Sequence, residues 1–298
     1  MGGRRYRRII ALAVASVLAA GTAAGLAAGT AAGLAAATAA PALASASPAS
    51  SQICVSKAHP RLARRLSSRI TGALRGRQGA IGLAAADTKL GLTCSLNAGG
   101  HFYAASVIKV TIISALLLKE GGVGHLTKRQ HALAWKMITE SDNDAATALW
   151  NQTGRRARNR FIRRAGMAHT ELNNEAWGLS LITAHDEVTL LKLLTTRGRV
   201  LSTPSRRYVL YLMAHVEPGQ RWGVTAGASA KVTVHVKNGW LPYPSHPVQW
   251  NINSIGAFTG TGITYQIAML TTNNQSEDYG IDTIRDACRY LNWNLAAS

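Results

Sequence analysis

Apolar residues alternate near both ends of this chain and recur at helical period between them, an order that restricts the folds open to it. Gly79 to Ala86 and Leu92 to Leu96 read as two short strands around a turn at Asp87–Gly91. Later, Val232, Val234 and Val236 alternate with Lys231, Thr233, His235 and Lys237, and further strands are predicted over Val248–Phe258 and Thr264–Thr271. Helical spacing fills the middle, over Ala104–Lys119, Thr127–Glu140, Asp144–Thr153, Arg156–Ala165, Ala184–Thr195 and Pro204–His215. One helix through Leu62, Leu66, Ile70 and Leu74 precedes the first strands, and another over Ile281–Leu295 ends the chain. The pattern predicts an α/β (α+β) protein whose sheet-bearing part, 54–100 and 226–298, carries an inserted helical part, 101–225. A cleft forms readily where two such parts meet.

The first 46 residues read differently. Arg4, Arg5, Arg7 and Arg8 precede an apolar run from Ile9 to Leu18, and the segment closes on Ala42-Leu43-Ala44 and Ala44-Ser45-Ala46. A basic start, an apolar middle and a small-x-small end make a signal peptide over 1–46, hence a secreted protein. Retention as a membrane anchor is the alternative, since the stretch is long enough to span a bilayer. An eight-residue repeat at 19–26 and 27–34 is low-complexity expansion. A Ser/Pro/Ala-rich linker at 47–53 leads to a domain over 54–298.

Export makes the three cysteines readable, because disulfides persist in oxidising compartments. Cys288 shares helical spacing with Ile281, Ile284, Leu291 and Leu295, which places it on a buried face and favours a Cys54–Cys94 bridge. The formal charge is +19, of which the four early arginines account for four. The remaining surface is drawn to polyanions. In an exported protein those are anionic cell-wall polymers; nucleic acid is not expected. The run Arg155, Arg156, Arg158, Arg160, Arg163 and Arg164 reads as a solvated helix face.

Three short motifs carry chemistry in combination. Ser106-Val107-Ile108-Lys109 opens an apolar helix, where the i, i+3 spacing brings an amine to a hydroxyl. Such a hydroxyl needs a base, and burial lowers a lysine toward that role. Ser141-Asp142-Asn143 stands between two predicted helices, where it also reads as an ordinary helix cap. Lys237-Asn238-Gly239 ends the alternating strand, where Asn-Gly otherwise signals a turn.

Taken in order, the three motifs resemble those of class A β-lactamases and the wider penicillin-recognising active-site serine hydrolases. The resemblance covers nearly the whole chain after Cys54. It implies a β-lactamase-like fold, with an antiparallel sheet flanked by N- and C-terminal helices and an all-helical insertion. It further implies Ser106 as acylated nucleophile, Lys109 as its proton acceptor and Ser141 as proton relay to the leaving nitrogen. By the same resemblance Asn143 binds a substrate amide and Lys237, with Asn238 and Gly239, its carboxylate. The backbone N–H groups of Ser106 and Trp240 would then form the oxyanion hole. The implied substrates are a β-lactam, or a peptide or ester taken by a D,D-peptidase-like acyl-transfer enzyme; a non-catalytic wall-binding protein is the third reading.

Two positions depart from the family pattern. Asn238 stands where Thr or Ser is usual. In the loop Ala168-His169-Thr170-Glu171-Leu172-Asn173, His169 occupies the place of the glutamate that activates the deacylating water, and Glu171 is displaced by two residues. Acylation with slow deacylation is therefore expected, with His169 as a substitute base the variant of that view. No cofactor or metal is expected, because His-Glu-x-x-His, paired zinc-spaced cysteines and phosphate-binding glycine loops are absent from the sequence. A monomer is expected.

Overall fold

The strands of the last third build one half of a six-stranded sheet, from its middle out to one edge. In chain order the strands are β1 (Cys54–Val55), β2 (Ala80–Asp87), β3 (Leu92–Leu96), β4 (Phe102–Tyr103), β5 (Leu181–Ile182), β6 (Thr233–Tyr243), β7 (His246–Gly260) and β8 (Ile263–Asn274). The main sheet runs β1-β3-β2-β8-β7-β6 with every neighbour antiparallel, and β4 pairs with β5 alone. The coordinates are a computed structural model that describes residues 52–243 and 246–296, all within the unit Ser50–Ser298. The signal peptide expected over 1–46 and most of the linker expected over 47–53 lie outside the described residues.

Among the described residues eight α-helices accompany the strands: α1 (Pro60–Leu74), α2 (Ile108–Glu120), α3 (Lys128–Trp135), α4 (Asn143–Thr153), α5 (Arg155–Ala165), α6 (Ala184–Thr195), α7 (Thr203–Ala214) and α8 (Glu277–Leu295). Successive side chains of β8 leave opposite faces of the sheet. Tyr265 donates to Asn292 of α8 at 2.8 Å, whereas Gln266 donates to Thr195 of α6 at 2.9 Å. The terminal helices α8 and α1 thus pack together on one face, and α6 covers the other. Among the described residues no helix is long and apolar enough to cross a membrane.

Helix α2 is the core of the helical part. Every residue from Ile108 to Leu117 is buried, as a helix apolar on all sides must be. It stops at Gly121, whose φ of 80° is the left-handed C-cap that glycine adopts without a Cβ penalty.

Two predicted elements are corrected. The helix expected over Thr127–Glu140 is α-helical only to Trp135, behind a Thr127/Gln130 capping box; Lys136–Glu140 then forms a π-helical turn ending at Ser141 in a left-handed conformation, φ 57°. The strand expected to end at Lys237-Asn238-Gly239 instead runs on to Tyr243, because Asn238 and Gly239 pair with Ser254 and Asn253 of β7. The motif is mid-strand and its Asn-Gly makes no turn. Strands β1, β4 and β5, two residues each, are too short to leave a periodic signal. Cys54 and Cys94 face each other in the β1–β3 register and form a disulfide; Cys288 is buried, free, and 3.9 Å from the Met269 sulfur.

Candidate active site

Ser106 lies in a 3-10 turn, Ala105–Val107, that leads into α2. Its predecessor Ala105 holds φ at +47°, a region that costs a residue with a Cβ about 1–3 kcal/mol unless its surroundings impose it. Those surroundings are the sheet. Asn253 of β7 donates to the carbonyls of Tyr103 and Ala104 at 2.7 and 3.3 Å. Gly239 of β6 comes so close that a Cβ there would sit 2.7 Å from the Ser106 nitrogen and 2.9 Å from that of Val107. The glycine is therefore required for close approach of two backbones. Ser106 itself is only half-buried, so its hydroxyl is reachable.

One turn along, the fully buried Lys109 directs its amine at four oxygens. Nζ lies 2.9 Å from Ser106 Oγ, 2.7 Å from the Ser141 carbonyl, 3.2 Å from Ser141 Oγ and 2.8 Å from Asn143 Oδ1. The π-helical turn and the left-handed Ser141 present both oxygens of that residue to the lysine, a use typical of π-turns at functional sites. Asp142 caps α4 by accepting from the Ala145 N–H at 2.6 Å, which sets Asn143 at the start of the helix. From the sheet, Lys237 donates to Ser141 Oγ at 3.0 Å and to the Asn238 carbonyl at 3.0 Å. Ser141 Oγ is thus shared by two buried lysines.

Burial holds Lys109 well below the ordinary lysine value; Lys237 pushes it further the same way, and Asp142 partly opposes them. Burial also pushes Lys237 down, to about 7. Two ammonium groups around one hydroxyl, away from water, favour releasing a proton. A neutral Lys109 beside Ser106 can act as a base, and the shared hydroxyl of Ser141 can pass a proton onward.

The structure brings Ser106, Lys109, Ser141, Asn143 and Lys237 together, with Gly239 backing Ser106. Trp240 is half-buried, its ring centre 5.9 Å from that of Trp222. Asn238 is a correction: it leaves β6 on the face opposite Lys237, and its amide donates to the carbonyls of Gln220 and Trp222 at 2.7 and 3.1 Å. Its donors are committed to the 218–225 segment, so it has none to offer a substrate carboxylate. His169 and Glu171 are both exposed, and neither hydrogen-bonds Ser106, Lys109, Ser141 or Lys237. Glu171 instead bridges Leu181 through its backbone at 2.8 and 2.9 Å.

Trp177 and Asn253 are the site residues that sequence reasoning missed. The Trp177 ring centre lies 4.9 Å from Lys109 Nζ, and its indole N–H donates to Thr147 at 3.1 Å. A lone tryptophan in a loop and a lone asparagine in a strand carry no spacing signal.

A buried lysine at a reachable serine hydroxyl, held between an antiparallel sheet and a helical insertion, is the arrangement of a serine hydrolase of the β-lactamase type. The sequence matches the model of the Beta-lactamase enzyme family over residues 119–293, more than half of the chain, and the chain belongs to that family. The match begins after Ser106 and Lys109, so their assignment rests on the motif and the geometry. Among solved structures, a class A β-lactamase from Bacteroides cellulosilyticus DSM 14838 is similar with a TM-score of 0.67 and 18% identity, over 79% of this chain and 98% of the other. A β-lactamase from Sphaerobacter thermophilus DSM 20745 gives 0.66 and 19%, over 78% and 97%. One from Burkholderia vietnamiensis gives 0.64 and 21%, over 76% and 95%. At these identities the likeness is one of fold. No curated protein matches the sequence.

Proposed function

We propose that the chain is an exported acyl-serine hydrolase that opens a β-lactam amide or a related amide or ester, and that deacylates slowly. The observation that carries the reading is the 2.9 Å contact between Lys109 Nζ and Ser106 Oγ, with Ser141 Oγ bridging to Lys237. Ser106 Oγ gives its proton to neutral Lys109 and forms a C–O bond to the substrate carbonyl carbon. As the C–N bond breaks, the proton moves from Lys109 through Ser141 Oγ to the departing nitrogen. The Ser106 N–H, at the start of the α2 segment, and the Trp240 N–H hold the oxyanion. Lys237 holds the substrate carboxylate, and Asn143 its amide side chain.

Slow deacylation is supported by the loop. Hydrolysis of the acyl-serine needs a base beside the attacking water. Among the described residues no carboxylate hydrogen-bonds Ser106 or Lys109, and the His169 N–H and ring Nδ1 both face Asp186. The same observation favours a second reading, acyl transfer on wall peptides, where an amine replaces water. Export is supported by the basic, apolar and small-residue order of residues 1–46, and affinity for anionic wall polymers by the +19 charge.

Incubation with a penicillin, followed by intact mass over time, tests the proposal. The expected result is a one-penicillin adduct that persists for hours on wild type and never forms on Ser106→Ala. An adduct that decays while hydrolysed penicillin accumulates catalytically would overturn slow deacylation; no adduct on folded wild type would overturn the β-lactam assignment.

A further inference from the structure

At the N-terminus of α6, Asp186 is fully buried, and its two oxygens meet different partners. Oδ2 accepts the His169 N–H at 2.8 Å and the Thr170 hydroxyl at 2.9 Å. Oδ1 faces two imidazoles, with His185 Nδ1 at 3.5 Å and His169 Nδ1 at 3.7 Å. The rings stand edge to face, centres 6.4 Å apart, and all three ligand atoms lie within 4.8 Å of one another. Both distances to Oδ1 exceed the ~2.7–3.2 Å of an N–H···O bond. They are close to the spacing of ligands around a tetrahedral zinc, where bonds of ~2.0–2.1 Å set neighbouring donors about 3.4 Å apart.

We propose that His169, His185 and Asp186 bind one zinc or similar first-row divalent ion, which clamps the loop carrying His169 to α6. Two imidazoles and one carboxylate are a nitrogen-rich set that suits zinc, cobalt or nickel and not magnesium or calcium, which take oxygen ligands. The buried carboxylate is already oriented by the two bonds to its other oxygen, the arrangement that metal sites use to fix a ligand. His101 holds the loop from the far side: its Nε2 donates to the His169 carbonyl at 2.9 Å. The two histidines are 59% and 64% exposed, so an ion has a path in and a fourth position open to water. The clamp acts at a distance from the chemistry, through the loop that ends at Trp177 over Lys109. It also gives His169 a use other than that of deacylating base, and it reverses the sequence expectation of no metal.

The test uses the full chain, free of affinity tags and stripped of metal by a chelator. Zinc binding is followed by calorimetry, and cobalt binding by the visible bands of a tetrahedral site without thiolate. One equivalent should bind wild type, and His59→Ala, an exposed histidine elsewhere, should bind equally. His169→Ala and His185→Ala should each weaken binding at least tenfold. Zinc at a hundredfold excess over its dissociation constant should raise the wild-type Tm by about 5–10 °C, and the two variants by less. His169→Gln and His185→Gln serve if either alanine variant loses its fold by circular dichroism. No saturable binding to wild type, or equal affinity in wild type and both site variants, would overturn the proposal.

Discussion

At the scale of single residues the site depends on Lys109 being both buried and neutral. Its amine touches the nucleophile, the Ser141 oxygens and Asn143, and desolvation is the main cause of its lowered affinity for protons. Lys109→Met should therefore slow acylation by about 10²–10⁴-fold, the usual worth of a positioned base, while leaving the fold intact. Wild-type acylation should fall as acid protonates Lys109, because an ammonium cannot accept the Ser106 proton. Stopped-flow acylation rates across pH check both; an acylation rate unchanged in Lys109→Met would show that another group takes the proton. The Ser106/Lys109 pair was legible in the sequence because i, i+3 spacing fixes a shared helix face. Asn238 was misread: strand alternation puts consecutive residues on opposite faces, and only the paired register shows that Lys237 and not Asn238 faces Ser141.

At the scale of elements, the π-helical turn and the middle of β6 do what helix and strand propensities do not announce. The turn adds a residue to the helix and delivers Ser141 in a left-handed conformation. Four described non-glycine residues have positive φ, and two of them, Ala105 and Ser141, flank the chemistry. On β6, Gly239 lets the strand lie against the turn that holds Ser106. Gly239→Ala would drive a methyl group to within 2.7 Å of the Ser106 backbone nitrogen, where backbone and not a side chain must move. It should destabilise the protein by about 1–3 kcal/mol. It should also slow acylation more than tenfold, because the oxyanion-binding N–H groups are displaced. Thermal melts and acylation rates measure the two effects; a variant indistinguishable from wild type in both would show that the β6–Ser106 contact is not tight.

On the scale of the whole molecule, the described residues before about 100 and after about 226 make the main sheet with α1 and α8, and those between make the other helices, so the site is assembled from residues far apart in sequence. Period alone predicted a mixed fold of helices and strands, and the order of three motifs predicted the family. The two-residue strands, the loop geometry around Asp186 and the cover of Lys109 by Trp177 arise from tertiary packing and leave no period to read. Assembly also has a global consequence. Lys237 titrates near 7 when folded and, by its ordinary value, at ~10.4 when unfolded. Between those values the unfolded chain binds more protons, so stability rises with pH across that window and is lost as pH falls toward 7. The Lys237 contribution is about 5 kcal/mol at most. Denaturant unfolding at pH 7, 8 and 9 should show this slope in wild type and a flatter one in Lys237→Met; equal slopes would contradict the burial of an uncharged lysine. The central claim, that the chain acylates through Ser106, is tested most directly by digesting the penicillin-treated protein and locating the adduct by peptide mass. The account predicts the added mass on the peptide containing Ser106 and its absence from Ser106→Ala. The same mass on another peptide, or its survival in Ser106→Ala, would contradict it.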